Sequence, residues 1–213
     1  MIRLIFFFSV CVWAQVEHPS VGWMLDSSGA VREVFGVAAS VTLGDPIAAN
    51  VASMSCSRKM CVTRPDAAIF TFSGDAVYVY SSGQLARWRG GDAEPISVDV
   101  AGEILAMRVV DGVVEFAVRR DDGTWIARDG NVAVGAIPEA TGPVMLLDRG
   151  ALFAAEDETV LRRADGSEVR FPVHADSFTA IGDGYVQIRA GGSDYALRIT
   201  PGREKLFLLP GVQ

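Results

Sequence analysis

The chain has 213 residues, half of them hydrophobic, and a formal net charge of −7 at pH 7. This length allows one domain with a sizeable core, and no shift in composition marks a second domain. The only lysines are Lys59 and Lys205, and the arginines are scattered. Because binding to phosphates draws on clustered basic side chains, we predict no nucleic-acid partner.

The first residues have the pattern of a secretory signal peptide. Arg3 precedes an apolar run over residues 4–13, and Val12 and Ala14 are the small residues that suit signal peptidase. This run is too short to span a bilayer, and no later segment approaches membrane length.

We therefore predict a signal peptide over residues 1–14 and a single domain over residues 15–213. The mature product is expected to be periplasmic or secreted, without a membrane span. The alternative for this segment is a lipoprotein anchored at Cys11, although the residues before Cys11 match such a site poorly.

The region that follows the leader has an irregular strand pattern. Strands are predicted over residues 23–26 and 31–34, as the third and fourth strands of a blade, followed by a loose linker over residues 36–50. A hairpin then carries Cys56 and Cys61, which we predict to form a disulfide in an oxidising compartment. A reactive or metal-binding pair is the alternative, but four intervening residues do not fit the spacing of zinc or thioredoxin-like sites.

Four repeats of four strands make up the rest of the chain. Each repeat has a hydrophobic strand, a tight turn with Gly, and three further strands rich in β-branched and aromatic residues. The predicted strands cover residues 69–72, 77–80, 85–88 and 96–100, then 104–107, 113–118, 125–128 and 132–137, then 144–147, 152–154, 160–163 and 169–173, then 178–181, 185–188, 196–199 and 206–209.

This period resembles that of β-propeller repeat proteins, in which each blade is a sheet of four short antiparallel strands. No signature of a particular propeller family is present. The resemblance is to secreted bacterial propeller-like proteins, and it implies an all-β chain. Four strands before the repeats and sixteen within them give twenty strands, or about five blades. A β-sandwich or an irregular barrel has similar strand spacing and is the alternative fold.

Two residue types recur on the strands that we number third in each repeat. An arginine occurs there in every repeat, and we predict that it forms a structural ion pair or lies on the surface. Tryptophans occur on three such strands, and we expect them to pack between blades, with sugar stacking as the alternative. The arginines are Arg87, Arg128, Arg162 and Arg198, and the tryptophans are Trp23, Trp88 and Trp125.

Acidic residues concentrate where loops are expected to share one face of the propeller. In a four-stranded blade, the turn between the second and third strands lies at the same end as the segments that join blades. The acids on these loops are Asp66, Glu103, Asp121, Asp122, Glu139, Glu156, Asp157, Glu158, Asp176 and Asp194. Such a face could attract a basic partner or bind Ca²⁺. The plainer interpretation is that an acidic protein has acidic loops, since the opposite face carries aspartates too.

Catalytic chemistry has little support in this sequence. No phosphate-binding loop, dinucleotide fingerprint, zinc-protease motif or calcium loop occurs, so no resident cofactor is predicted. The innermost strands are mostly apolar and offer little for a general acid and base. We predict an exported, non-catalytic binding or scaffolding module that recognises a protein or glycan through its loop face. The alternative is an exported carbohydrate-active hydrolase or lyase with carboxylates on its loops.

Overall fold

The computed structural model describes residues 20–37, 40–128, 131–182 and 184–211. The predicted signal peptide, its cleavage position and Cys11, the anchor of the alternative interpretation, lie outside these residues. The described part of the chain is all β, with 21 strands, and no helix within it is long and apolar enough to cross a membrane. The sheets form a five-blade β-propeller, as the repeat predicts.

Four blades are regular sheets of four antiparallel strands in sequential order. The second blade contains β6 (Ile69–Ser73), β7 (Ala76–Ser81), β8 (Gln84–Arg89) and β9 (Asp92–Ile96). The third contains β10 (Glu103–Val110), β11 (Val113–Arg120), β12 (Gly123–Arg128) and β13 (Val132–Ala136). The fourth contains β14 (Val144–Leu147), β15 (Gly150–Ala155), β16 (Glu158–Arg163) and β17 (Glu168–Phe171). The fifth contains β18 (Ser177–Gly182), β19 (Tyr185–Ala190), β20 (Ser193–Arg198) and β21 (Lys205–Leu208).

The first blade is irregular and closes the ring. It combines a three-stranded sheet with a separate hairpin, and β4 contacts β1, β18 of the last blade and β6 of the second. Its strands are β1 (Ser20–Leu25), β2 (Val31–Val37), β3 (Ser40–Ala48), β4 (Ser53–Cys56) and β5 (Cys61–Arg64).

Two of the predicted boundaries are wrong. The segment over residues 36–50 is not a linker, because most of it forms β3, which pairs with β2 through two register shifts. This strand raises the number of strands above the twenty expected. The fourth strand of the second blade is Asp92–Ile96 rather than residues 96–100, and its Pro95 lies opposite Ala86. As the outermost strand of its sheet, β9 tolerates a proline that donates no ladder hydrogen bond.

The hydrophobic core lies between neighbouring blades. Phe116 of the third blade packs with Tyr78 and Leu85 of the second, and Phe153 of the fourth packs with Ala117 of the third. Phe116 and Phe153 have at most 2% of their surface exposed. Burial of each such ring stabilises the fold by about 2 kcal/mol, so each blade depends on its neighbours for much of its stability.

The first and fifth blades meet at a seam of close backbone contacts. A Cβ atom on Gly22 would lie 1.7 Å from the carbonyl oxygen of Ile181, and the φ of Gly22 is +143°. Gln187 of β19 holds Leu25 of β1 with both ends of its amide: its Oε1 accepts from the backbone N–H at 3.0 Å and its Nε2 donates to the carbonyl at 2.8 Å. Only glycine allows the close approach of residue 22 to Ile181, and the Gln187 amide holds the backbone of Leu25 in place.

Candidate functional site

One face of the propeller is built from the segments between blades and the turns between second and third strands. In each regular blade, the segment before it bonds to this turn or to a strand beside it. Ser81 Oγ donates to Asp66 at 2.9 Å, Arg120 Nε donates to the Ala101 carbonyl at 3.1 Å, and the Gly191 N–H donates to Asp176 at 2.9 Å. In the fourth blade the Glu156 N–H donates to Thr141 Oγ1 at 3.1 Å. We call this surface the connector face.

Seven of the ten acids predicted for this face bond to other parts of the chain. Asp66 pairs with Arg64, Glu103 with Arg119, Glu139 with Arg162, Glu158 with Arg170 and Asp194 with Arg189, while Asp122 accepts from the indole of Trp125 and Asp176 accepts from Gly191. Sequence reasoning could not identify these partners, because strand register and loop conformation select them.

Two of these carboxyls have lowered pKa values. The hydrogen bond from Arg64 lowers the pKa of Asp66 to about 2, with a second bond from Ser81. The Arg162 guanidinium lowers the pKa of Glu139 by the same kind of bond. A group that titrates near pH 7 would suit acid–base catalysis, whereas these carboxylates are held ionised as structural anions.

The other three predicted acids are exposed and make no side-chain bond within the described residues. Asp121 lies in the turn between β11 and β12, and Glu156 and Asp157 lie in the turn between β15 and β16. The two turns have the same position in adjacent blades, which contact each other through β10, β11 and β14. Within the described ranges no three acidic, histidine or cysteine side chains group as a metal site.

The two buried carboxylates of the described residues, Glu115 and Asp26, form ion pairs and have structural roles. Glu115, 3% exposed, lies between Arg108 and Arg128, and Arg108 also donates to the carbonyl oxygens of Leu147 and Gly150 in the next blade. Asp26, 1% exposed, accepts bonds from Ser28, Ala30 and Arg32. Burial alone would raise the pKa of Asp26, but these bonds outweigh it and lower the pKa to about 2.

The recurrent arginines confirm the prediction of ion pairs in three blades out of four. Arg87 pairs with Glu94, Arg128 with Glu115, and Arg162 with Glu168 and Glu139. Arg198 of the fifth blade instead donates its Nε–H to the carbonyl of Arg203 at 2.6 Å.

The tryptophans only partly follow the expectation of core packing. Trp23 is half-buried against the core of the seam, on β1 rather than on a third strand. Trp125 is half-buried and bonds to Asp122. Trp88 is 42% exposed near the outer side of its blade, so the expectation is wrong for this residue.

Two clefts adjoin the seam between the first and fifth blades. One, of about 360 Å³, is lined by Val21, Val34, Val41 and Ala196 among other residues, with Tyr185 and Arg198 as its larger polar side chains. The other, of about 450 Å³, lies between β1 and the tip of the cysteine hairpin. Among the described residues, no aspartate or glutamate lines either cleft. Sequence reasoning missed both, since they arise where distant parts of the chain meet.

The predicted disulfide between Cys56 and Cys61 is confirmed. The two residues are directly opposite in the ladder between β4 and β5, with their Cα atoms 4.0 Å apart. The bond closes the hairpin whose first strand completes the ring.

Comparison with known proteins identifies structural neighbours only. No family model matches the chain, and no curated protein matches its sequence. Among solved structures, PorZ of Porphyromonas gingivalis, an essential bacterial surface component of the type-IX secretion system, matches with 14% identity and a TM-score of 0.46, over 90% of this chain and 31% of PorZ. BamB from Moraxella catarrhalis matches with 14% identity and a TM-score of 0.36, over 89% of this chain and 63% of BamB.

Proposed function

We propose that the protein is an exported, non-catalytic binding module whose connector face recognises a basic surface of a partner protein. The observation that carries this proposal is the set of three exposed carboxylates, Asp121, Glu156 and Asp157, which no described side chain neutralises. Exposed carboxylates attract Lys and Arg side chains of a partner, and such charges speed association and select the partner.

The scaffold under these carboxylates supports a binding role. In both blades the segment that precedes the blade forms a hydrogen bond to the turn or to a residue next to it. Arg120 donates to the Ala101 carbonyl, and the Glu156 N–H donates to Thr141. Turns that are held in place lose little conformational entropy on binding, which favours recognition by a preformed surface.

Export is supported by the disulfide as well as by the predicted signal peptide. Disulfides persist in oxidising compartments such as the periplasm or the extracellular space. We propose cleavage after Ala14, and the mass of the protein recovered from the cell envelope tests it. The expected product begins at Gln15; recovery of the uncleaved chain from the cytoplasm would contradict export.

Carbohydrate hydrolysis or cleavage has less support from the geometry. Both glycosidase mechanisms need a pair of carboxyl groups that converge on a bound sugar. No carboxylate of the described ranges lines either cleft at the seam, and Glu115 and Asp26 are engaged by arginine and backbone groups.

Site-specific photo-crosslinking in living cells tests the proposed face. A photo-reactive side chain at Glu156 is expected to give discrete, protease-sensitive products, and the same side chain at Asp148, exposed at the opposite end of the same blade, is expected to give none. The double substitution D121N/D157N should lower the yield at position 156 severalfold. The control D92N/D111N, which removes the same charge from the opposite face, should leave it unchanged.

Equal yields at both positions would overturn the connector face as the binding surface. Products at position 156 that resist protease and are removed by glycosidases would instead assign the face to a glycan. Neither result bears on the fold or on export, so the experiment tests only the binding surface and the chemical class of the partner.

A further inference from the structure

The cleft of about 360 Å³ at the seam has the composition of a small-molecule site. Its walls come from β1, β2 and β3 on one side and from β19, β20 and β21 on the other. Its apolar lining includes Val21, Val34, Val41, Ala196 and Leu209. Sites for small ligands have volumes of about 300–1,000 Å³ and mostly apolar walls with a few polar groups that fix orientation.

The internal repeat shows what is unusual about the arginine in this cleft. Each third-strand arginine lies directly opposite one residue of the second strand and one of the fourth. In three blades one of these two neighbours is a glutamate that forms an ion pair with it: Glu94 for Arg87, Glu115 for Arg128 and Glu168 for Arg162. For Arg198 the two neighbours are Tyr185 and Lys205.

The fifth blade therefore has two cations where the others have a cation and an anion. Within the described residues Arg198 has no carboxylate partner, and its only hydrogen bond there runs from Nε to the Arg203 carbonyl. The Lys205 ammonium lies 5.2 Å from the centre of the Phe207 ring, and Phe207 lines the cleft. An apolar cavity thus ends at a positive group whose usual glutamate is missing from the repeat.

We propose that this cleft binds a medium-chain fatty acid, whose carboxylate takes the place of the missing glutamate. The carboxylate accepts hydrogen bonds from the free end of the Arg198 guanidinium and from the Tyr185 hydroxyl. The acyl chain lies along Val21, Val34 and Ala196, where its burial from water contributes the apolar part of the affinity. A fatty acid fits because its anionic end matches the cationic Arg198 and its apolar body matches the apolar walls of the cleft.

This site is separate from the proposed binding surface. Tyr185 begins β19 and Arg198 ends β20, so both lie at the opposite end of the fifth blade from the β19–β20 turn, which belongs to the connector face. The fatty-acid proposal and the partner-protein proposal therefore fail or succeed independently.

Calorimetric titration of the full chain with decanoate and with 1-decanol tests the proposal. Decanoate is expected to bind saturably with one molecule per chain and about tenfold or more tightly than the alcohol, because a charged hydrogen bond to a guanidinium is lost in the neutral analogue. R198Q should weaken decanoate binding by a similar factor and leave the alcohol unchanged. The matched control is R203Q, which removes the same charge from an exposed position of the following turn.

A second pair of variants tests the apolar part without changing charge. V41W fills the cleft and should abolish binding of both ligands, whereas V132W, on an exposed residue of the third blade, should change neither affinity. Circular dichroism and thermal unfolding verify that each variant folds.

The proposal is overturned if decanoate gives no saturable binding, if decanoate and decanol bind equally, or if R203Q acts as R198Q does. A hydrophobic peptide with a free C-terminal carboxylate that binds more tightly than decanoate would assign the cleft to a chain end of another protein. Because the comparison of the two ligands uses the unaltered protein, the test does not depend on the stability of any variant.

Discussion

Substitution of Gln187 by leucine tests how the ring is closed. Gln187 is 3% exposed, and its amide bonds to the N–H and C=O of Leu25 and to Asp194. Leucine has a similar size but cannot bond, so the Leu25 N–H loses its partner. The Leu25 carbonyl and Asp194 keep bonds from Arg189. One orphaned donor and the lost bonds together cost about 2–3 kcal/mol.

Urea unfolding followed by tryptophan fluorescence measures this loss, since Trp23 lies two residues from the contact. A chain of this size should also unfold at a temperature lower by about 2–4 °C for each kcal/mol lost. The matched control is Q84L, an exposed glutamine at the start of β8, which should change the free energy of unfolding by less than about 0.5 kcal/mol. If Q187L is as stable as Q84L, Gln187 does not hold the seam and our account of ring closure is wrong.

Three further substitutions probe the rest of the scaffold. D26N should lower the free energy of unfolding by about 2 kcal/mol at pH 7. Because the pKa of Asp26 is lowered from 3.8 to about 2, this deficit should fade as the pH falls from about 4 to 2. Urea unfolding at pH 7 and at about pH 2 measures the deficit, and a deficit of equal size at both pH values would contradict this role. The double variant C56S/C61S should lose about 2 kcal/mol and become insensitive to dithiothreitol, whereas an unchanged response to the reductant would argue against the disulfide. E115Q should lose roughly 3 kcal/mol, because it leaves two arginines without their shared anion; a loss below about 1 kcal/mol in denaturant titration would refute that role.

The regular blades could be predicted from the sequence because their signals are local. Alternating apolar residues and glycine turns of positive φ, such as Gly74 and Gly112, specify hairpins without information from the rest of the chain. The irregular first blade could not be predicted in the same way. Gly44 and Pro46 make β3 resemble a loop, and only pairing with β2 makes it a strand.

The candidate sites show the same division between local and distant information. Strand order alone places the acids on loops that share the connector face. It does not reveal that Arg162 engages Glu139 while the Asp121 side chain bonds to no described residue, since the partners depend on register and side-chain reach. The repeat made Arg198 visible in the sequence, but its missing glutamate becomes meaningful only when the seam places the residue in a cleft.

The affinity of the partner protein for two charge variants tests the functional account most directly. The partner is the protein crosslinked at position 156, and its dissociation constant is measured at several salt concentrations. D121N/E156Q/D157N is expected to weaken binding about tenfold or more and to flatten its salt dependence, because three surface charges that attract the partner are removed. D92N/D111N/D148N removes three exposed charges from the opposite face and should change the affinity less than about twofold. Equal effects of the two variants would contradict recognition through the connector face.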